Sequence, residues 1–156
     1  MKKMIILVAL LLTVLVQAQS YDAYFTKEAL RLDFYLYGTK STTYASLKGM
    51  KKEPLFGGSH THLIHPNQGE YRVQVLEIGS GKVLFSKGMV TLMEEWQGME
   101  TDATKTEFFE IPCQTPFPKG PVEVTFERRT KEGNFQKIFT TKVDPTDYRI
   151  VKEAPV

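Results

Sequence analysis

The sequence predicts an all-β domain, a two-sheet β-sandwich of immunoglobulin-like or jelly-roll-like type with about seven or eight strands. Three observations predict this fold class. Apolar and polar residues alternate in several segments, which is typical of strands with one buried face. Glycine- or proline-containing links separate these segments, and long helical periods are missing from the pattern. A chain of 156 residues has room for one such domain with a real core.

The first clear strand lies between residues 30 and 37. Every second side chain from Leu30 to Leu36 is apolar and falls on one face, whereas the charged residues among them fall on the other. Gly38 ends the run, and residues 42–47 form a shorter candidate strand.

The second unit is a predicted hairpin. Residues 71–78 alternate, and Val83 to Phe85 form a second β-rich run after the link Gly79-Ser80-Gly81-Lys82. Because glycine reaches the positive φ angles that tight turns need, this link predicts a turn between two paired strands.

The third unit has the clearest alternation. Its first strand starts at Val122, a polar segment from Arg128 to Asn134 turns the chain, and residues 135–143 return. Ile138 is out of phase with Phe139, which predicts that part of one outer face is covered.

Shorter segments complete the predicted domain. Residues 107–111 and 148–151 are candidate strands. Residues 92–103 form the one candidate helix, in which Gly98 favours a turn or an irregular crossover. We place the sandwich domain at residues 19–152 and expect residues 153–156 to begin a linker or tail.

The first residues have the pattern of a signal peptide, residues 1–18. Lys2 and Lys3 precede a short apolar run, and a small-residue cleavage site ends at Ala18. The run is too short to cross a bilayer, and no cysteine follows it to accept a lipid. We therefore expect an exported, soluble product in the periplasm or outside the cell, with no stable membrane insertion.

Charge and cysteine content narrow the function classes. The chain has 20 Lys and Arg residues against 18 Asp and Glu residues, and loss of Lys2 and Lys3 with the signal leaves 18 against 18. A neutral domain predicts no nucleic-acid partner. A single cysteine, Cys113, forms no internal disulfide, and we expect a buried, unreactive thiol.

All three histidines lie close together, at His60, His62 and His65. An H-x-H pair in a strand places both imidazoles on one face, a geometry that zinc or copper can use, and Pro66 could turn the third toward them. The alternative is a set of solvated or edge-packed histidines in a loop. The chain has no H-E-x-x-H motif.

Aromatic residues supply the other candidate site. Trp96 beside Glu95 is the most plausible binding anchor, and core packing is the alternative. If exposed, the aromatic set could form a platform for a sugar or a partner protein; it comprises Tyr21, Tyr24, Phe25, Tyr35, Tyr37, Tyr44 and Trp96. Acidic clusters at residues 94–95 and 100–102 are interpreted as a solvated crossover. No nucleophile has a suitable context, so no catalytic residue is predicted.

Several short motifs together carry a family resemblance. In their order and spacing they resemble the amino-terminal domain of secreted bacterial IgA-type zinc metallopeptidases. The motifs are Tyr24-Phe25-Thr26, Leu30-Arg31-Leu32-Asp33-Phe34, Gly57-Gly58-Ser59 with Leu63-Ile64 and Pro66, Gly69-Glu70-Tyr71-Arg72, Glu95-Trp96-Gln97, Pro116-Phe117-Pro118-Lys119 and Val143-Asp144-Pro145.

The resemblance implies a β-sandwich that precedes a zinc peptidase domain. In that family the H-E-x-x-H helix belongs to the carboxy-terminal domain, and this chain ends at Val156, where that domain would begin. We therefore expect a non-catalytic accessory or interaction domain without a cofactor, whose partner is a peptidase domain, a protein or a glycan. The alternatives are a small periplasmic metal-binding protein that uses His60, His62 and His65, and a glycan-binding module.

Overall fold

The computed structural model describes residues 20–153, which form two four-stranded sheets, and the predicted all-β two-sheet sandwich is confirmed. In chain order the elements are α1 (Tyr21–Tyr24), β1 (Phe25–Thr39), β2 (Tyr44–Glu53), β3 (Tyr71–Glu77), β4 (Val83–Met89), α2 (Leu92–Met99), β5 (Thr106–Pro118), β6 (Val122–Arg129), β7 (Phe135–Val143) and β8 (Ile150–Lys152). The predicted signal peptide, residues 1–18, lies outside the described residues.

The first sheet has the strand order β5-β1-β2-β8, and the second sheet has the order β4-β3-β6-β7. The pairs are antiparallel except for β2 with β8, which run parallel. Both predicted hairpins, β3–β4 and β6–β7, are present. Gly79 and Gly81 have φ angles of 93° and 69° in the first of these turns, the conformation that the sequence predicted for them.

The core lies between the facing surfaces of the two sheets. Leu32, Phe34 and Leu36 of β1 are fully buried, as their alternation predicted. The ring of Phe34 stacks on that of Phe126 in the second sheet, with 4.7 Å between centroids. Burial of a side chain of this size stabilises the fold by about 1.5–3 kcal/mol, so these contacts hold the two layers together.

The phase break at Ile138 has a cause different from the predicted one. In the β6–β7 ladder Phe126 pairs with Phe139 and Glu127 pairs with Lys137, which leaves Ile138 as the extra residue of a β-bulge. Ile138 and Phe139 both pack against the core. The bulge therefore lets two consecutive side chains face inward.

Several elements differ from the sequence prediction; α1 was not predicted, and β2 runs to Glu53 rather than ending at residue 47. Residues 92–99 form a regular helix rather than an irregular crossover, because Met93 and Gln97, four residues apart, bury one face of it. Strand β5 extends through three prolines, which is tolerated because its only described strand partner is β1, so it lies at a sheet edge. Among residues 20–153, neither helix has the length and apolar character needed to cross a bilayer.

Candidate functional site

A basic cleft lies where the β1–β2 turn of the first sheet meets β6 and β7 of the second. Its volume is about 820 Å³. Its described lining includes no aspartate or glutamate, and it includes five cationic residues, which are Lys40, Arg128, Arg129, Lys131 and Lys137. We call this feature the basic cleft.

Arg128 forms the inner wall of the basic cleft. Its guanidinium donates from Nη1 to Thr43 Oγ1 at 2.8 Å and from Nη2 to Gln97 Oε1 at 2.7 Å. Both acceptors are neutral, so these hydrogen bonds orient the guanidinium without cancelling its charge.

Gln97 fixes the turn that carries Lys40. The Gln97 side chain is buried, and its Nε2 donates to the carbonyl oxygens of Thr39 at 2.7 Å and Thr42 at 3.1 Å. A third contact, at 3.1 Å, reaches Thr43 Oγ1. Helix α2 thereby ties the β1–β2 turn to Arg128, which gives the cleft a defined shape.

Arg129 lines another part of the basic cleft. It donates to the carbonyl oxygens of Asn67 at 2.8 Å, Gly69 at 3.0 Å and Gly133 at 3.0 Å. Its guanidinium also lies 4.4 Å from the centroid of the Phe135 ring. These partners are neutral as well, so they hold the cation in place and leave its charge uncompensated.

The three lysines of the basic cleft are exposed. Lys137 Nζ lies 3.7 Å from Glu123 Oε1, a surface pair that stabilises little. Because low-dielectric walls focus the field of like charges, a cleft with this composition attracts anions.

The predicted histidine cluster is divided among three environments. The His60 ring stacks on Tyr21, with 3.9 Å between centroids, whereas His62 Nδ1 lies 3.0 Å from Thr61 Oγ1. The His65 ring meets the edge of Phe85, with 6.0 Å between centroids. Across residues 20–153, no three histidine, cysteine, aspartate or glutamate side chains form a group that could hold a metal ion. The metal site at these histidines stays a prediction.

Trp96 and Glu95, the predicted binding anchor, have different exposures on α2. Trp96 packs against the core and tilts over the Phe109 ring, with 6.5 Å between centroids, and its Nε1 is buried without a hydrogen-bond partner. Glu95 is exposed. The role of this pair in ligand binding stays a prediction.

Cys113 is buried, with 3% of its surface exposed. Burial in the core raises the pKa of its thiol to about 12, so the thiolate needed for nucleophilic attack is scarce at neutral pH. The expected buried thiol is present.

The acidic cluster at residues 100–102 closes a turn after α2. The Glu100 carboxylate accepts the backbone N–H groups of Thr101 and Asp102 and pairs with Lys105 Nζ at 2.9 Å. The Asp102 and Lys105 bonds lower the pKa of Glu100 to about 2. The carboxylate is therefore committed to local structure.

Sequence reasoning missed the basic cleft. Lys40 and Arg128 are far apart in the chain, and net neutrality gave no sign of a local excess. One signal is present in the sequence, the run Arg128-Arg129-Thr130-Lys131, whose polar character predicts a turn rather than a binding surface.

The comparisons with known proteins concern most of the chain. A family model described as "Peptidase M64 N-terminus" matches residues 20–140, a range that contains every cationic residue of the basic cleft. The search of curated proteins returned no match.

Proposed function

The chain belongs to the peptidase M64 N-terminus family, and we propose that it is an exported, non-catalytic interaction domain that holds an anionic partner in the basic cleft. Membership of this family supports a role beside a peptidase, because the family is described as the N-terminus of M64 peptidases. The basic cleft supplies the surface for the interaction.

The observation that carries the proposal is the contrast between cations inside and outside the cleft. Outside it, Arg31 Nε pairs with Asp33 at 2.7 Å and Lys52 Nζ pairs with Glu28 at 2.9 Å. Inside it, Arg128 and Arg129 are held by neutral acceptors. Apart from Lys137, which pairs with Glu123, the described cations of the cleft have no ion pair, and their charge remains available to an external anion.

Binding of a simple polyanion tests the proposal. Calorimetry of the mature protein with dextran sulfate should show binding that weakens as salt rises, because each ionic contact is screened. The double variant Lys40→Ala/Lys131→Ala should lower the affinity about tenfold. Lys27→Ala/Lys87→Ala removes two exposed lysines outside the cleft and is the matched control. An equal loss in both double variants, or no binding at all, would refute the cleft as the site.

A proteolysis assay tests the non-catalytic part of the proposal. Incubation of the pure protein with casein and immunoglobulin should leave both substrates intact, in keeping with the buried Cys113 thiol. Any cleavage by a preparation free of other proteases would overturn this part, and a metal chelator shows whether that activity depends on a metal.

Export is tested separately. Mass spectrometry of the protein recovered from its native host should show a chain that starts at Gln19, as the predicted signal peptide requires. An intact leader would contradict this expectation, and fractionation of the culture separates periplasmic protein from released protein.

A further inference from the structure

Three aromatic side chains form a row across the outer face of the first sheet. Tyr37 of β1 pairs directly with Tyr44 of β2 and with Phe108 of β5, so the three side chains lie on one face. Their exposed fractions are 42%, 56% and 52%, respectively. We call them the aromatic row.

The aromatic row lies in a groove of about 460 Å³ at the end of the sheet. Its other lining residues are small or polar, namely Gly38, Thr39, Thr42, Thr106 and Glu107. At Gly38 a Cβ would collide with the Thr42 carbonyl, so the glycine lets the β1–β2 turn fold close to the row. The threonine residues among the lining residues place hydroxyl groups in the same groove as the aromatic rings.

The groove and the basic cleft are adjacent. Thr42 and Tyr44 line both of them. The cations consequently lie beyond the Tyr44 end of the row. The one carboxylate in the described groove lining, Glu107, neighbours Phe108 at the other end, where it accepts the Phe108 N–H at 3.1 Å.

We infer that the groove and the basic cleft together bind an acidic oligosaccharide, a chain of sugars that carries sulfate or carboxylate groups. This inference rests on the proposed function, because it assigns a chemical class to the anionic partner. The aromatic row would stack on sugar rings, and the cleft would hold the charged substituents.

The chemistry of the surface favours a sugar chain over an acidic peptide. The ring centroids of Tyr37 and Tyr44 are 5.8 Å apart, a spacing comparable with one sugar unit, and Phe108 lies on the next strand with its ring 5.1 Å from that of Tyr35. The C–H face of a pyranose packs on an aromatic ring, and its hydroxyl groups would bond to the Thr39 and Thr42 hydroxyls, which are hydrogen-bonded to each other at 2.9 Å. An acidic peptide needs the cations but makes no comparable use of a row of exposed rings.

The ends of the surface give the ligand a direction. Acidic substituents lie toward Tyr44 and Lys40, and neutral sugar lies toward Phe108, because the Glu107 carboxylate repels a second anion there. A ligand with its charge clustered at one end fits this arrangement best.

The experiment compares three probes of similar length by calorimetry: a sulfated heparin hexasaccharide, neutral maltohexaose and hexaglutamate. The sulfated hexasaccharide should bind most tightly. Tyr37→Ala and Tyr44→Ala should each weaken it about tenfold, whereas Tyr44→Phe should retain most of the affinity because it keeps the ring. Tyr148→Ala removes a tyrosine that is 93% exposed and lies outside the groove, and it should have no effect. Circular dichroism confirms that each variant is folded.

The outcomes separate this inference from the proposed function. If hexaglutamate binds as tightly as the sulfated sugar, and only Lys40→Ala/Lys131→Ala weakens binding, the anion-binding cleft stands and the sugar assignment is wrong. If maltohexaose binds equally well and depends on Tyr44 alone, the acidic character is wrong. If no probe binds, both proposals fail.

Discussion

On the outer face of the second sheet, the ring of Phe135 lies between two guanidinium groups, at 4.2 Å from Arg72 and 4.4 Å from Arg129, whereas on the first sheet Tyr37 and Tyr44 leave their rings exposed. The same kinds of side chain thus meet in one region and stay apart in the other. A cation–π contact orients a cation without neutralising it, so Arg129 contacts Phe135 and also lines the basic cleft, whereas Arg72 is neutralised by Glu127. Among the described residues, the rings of the aromatic row do not contact the cations of the adjoining basic cleft, so both remain accessible to a ligand.

The charges follow the same division. Arg72 Nη2 lies 2.5 Å from Glu127 Oε2, and Arg72 Nη1 donates to Asn67 Oδ1 at 2.7 Å. The polar groups on this part of the second sheet therefore bind one another, and we call the surface formed by Arg72, Glu127 and Phe135 the closed face. In the basic cleft the guanidinium groups of Arg128 and Arg129 donate their described hydrogen bonds to neutral acceptors, and Glu94 acts on Arg128 only through a longer-range electrostatic interaction. The comparison indicates that the Arg72, Glu127 and Asn67 contacts support the fold, whereas the aromatic row and the cleft, to which β6 and β7 also contribute, supply the recognition surface.

The largest expected effect concerns the closed face. Glu127→Ala removes a carboxylate that is 4% exposed and leaves Arg72 largely buried without its ionic partner. Loss of one partner of such a pair lowers the free energy of unfolding by about 3 kcal/mol. Urea denaturation of the variant and the parent protein measures the difference.

Glu123→Ala, on the same strand, is the control. Its contact with Lys137 is exposed and 3.7 Å long, so its loss should change the unfolding free energy by less than about 0.5 kcal/mol. Equal effects of the two substitutions would show that the Arg72–Glu127 pair contributes no more than an exposed surface pair.

The second prediction concerns the hydrogen bonds that support the basic cleft. Gln97→Ala removes the donor to the β1–β2 turn and the acceptor of Arg128. Because the part-buried turn carbonyls and Arg128 lose a buried hydrogen-bond partner, the unfolding free energy should fall by about 2 kcal/mol. Polyanion affinity should also fall, although Gln97 is absent from the described lining of the cleft.

An exposed glutamine tests whether this effect is specific. Gln68→Ala should leave both the unfolding free energy and the polyanion affinity unchanged within error, since Gln68 is exposed and its described hydrogen bond uses the backbone. A Gln97→Ala variant with normal affinity would mean that the cleft keeps its shape without this link.

Most of the fold could be predicted because the alternation of apolar and polar residues along a strand directly indicates which side chains are buried. The even positions from Leu30 to Leu36, and the hairpin around Gly79, needed no tertiary information. Strand β5 was predicted only as far as residue 111, since Pro112 argues against a strand unless its edge position is known. The helix at residues 92–99 depends on the burial of Gln97, whose partners are distant in sequence.

The candidate site was less predictable than the fold, because it is assembled from distant segments. Trp96 was singled out as the aromatic anchor, yet the described ring packs against the core and the exposed row uses Tyr37, Tyr44 and Phe108. Tyr37 and Tyr44 belonged to the predicted aromatic set. Their alignment with Phe108 depends on strand pairing, which the sequence does not specify.

The third prediction compares an aromatic residue from each face. Phe135→Ala should lower the free energy of unfolding by about 1.5 kcal/mol, because it removes two cation–π contacts and partly buried ring surface. Tyr44→Ala should lower it by less than about 0.5 kcal/mol, because the ring is 56% exposed. Thermal unfolding of both variants measures the difference. If Tyr44→Ala proves the more destabilising, the aromatic row is structural and the division between the faces is wrong.

The smallest expected effect is a pH dependence at the ion-paired end of the first sheet, far along β1 from the aromatic row. Hydrogen bonds from Thr26 and Lys52 lower the pKa of Glu28 from 4.5 to about 2. A carboxyl group with a lowered folded-state pKa stabilises the protein above pH 4.5, and the contribution is lost as the pH falls from 4.5 toward 2. Glu28→Gln should therefore be slightly less stable than the parent protein at pH 7, and the two unfolding midpoints should converge near pH 2. If the difference between the two unfolding midpoints stays constant from pH 7 to pH 2, the charge of the Glu28–Lys52 pair contributes nothing to stability. The ion-paired end of the first sheet would then resemble the aromatic end, where the rings carry no charge.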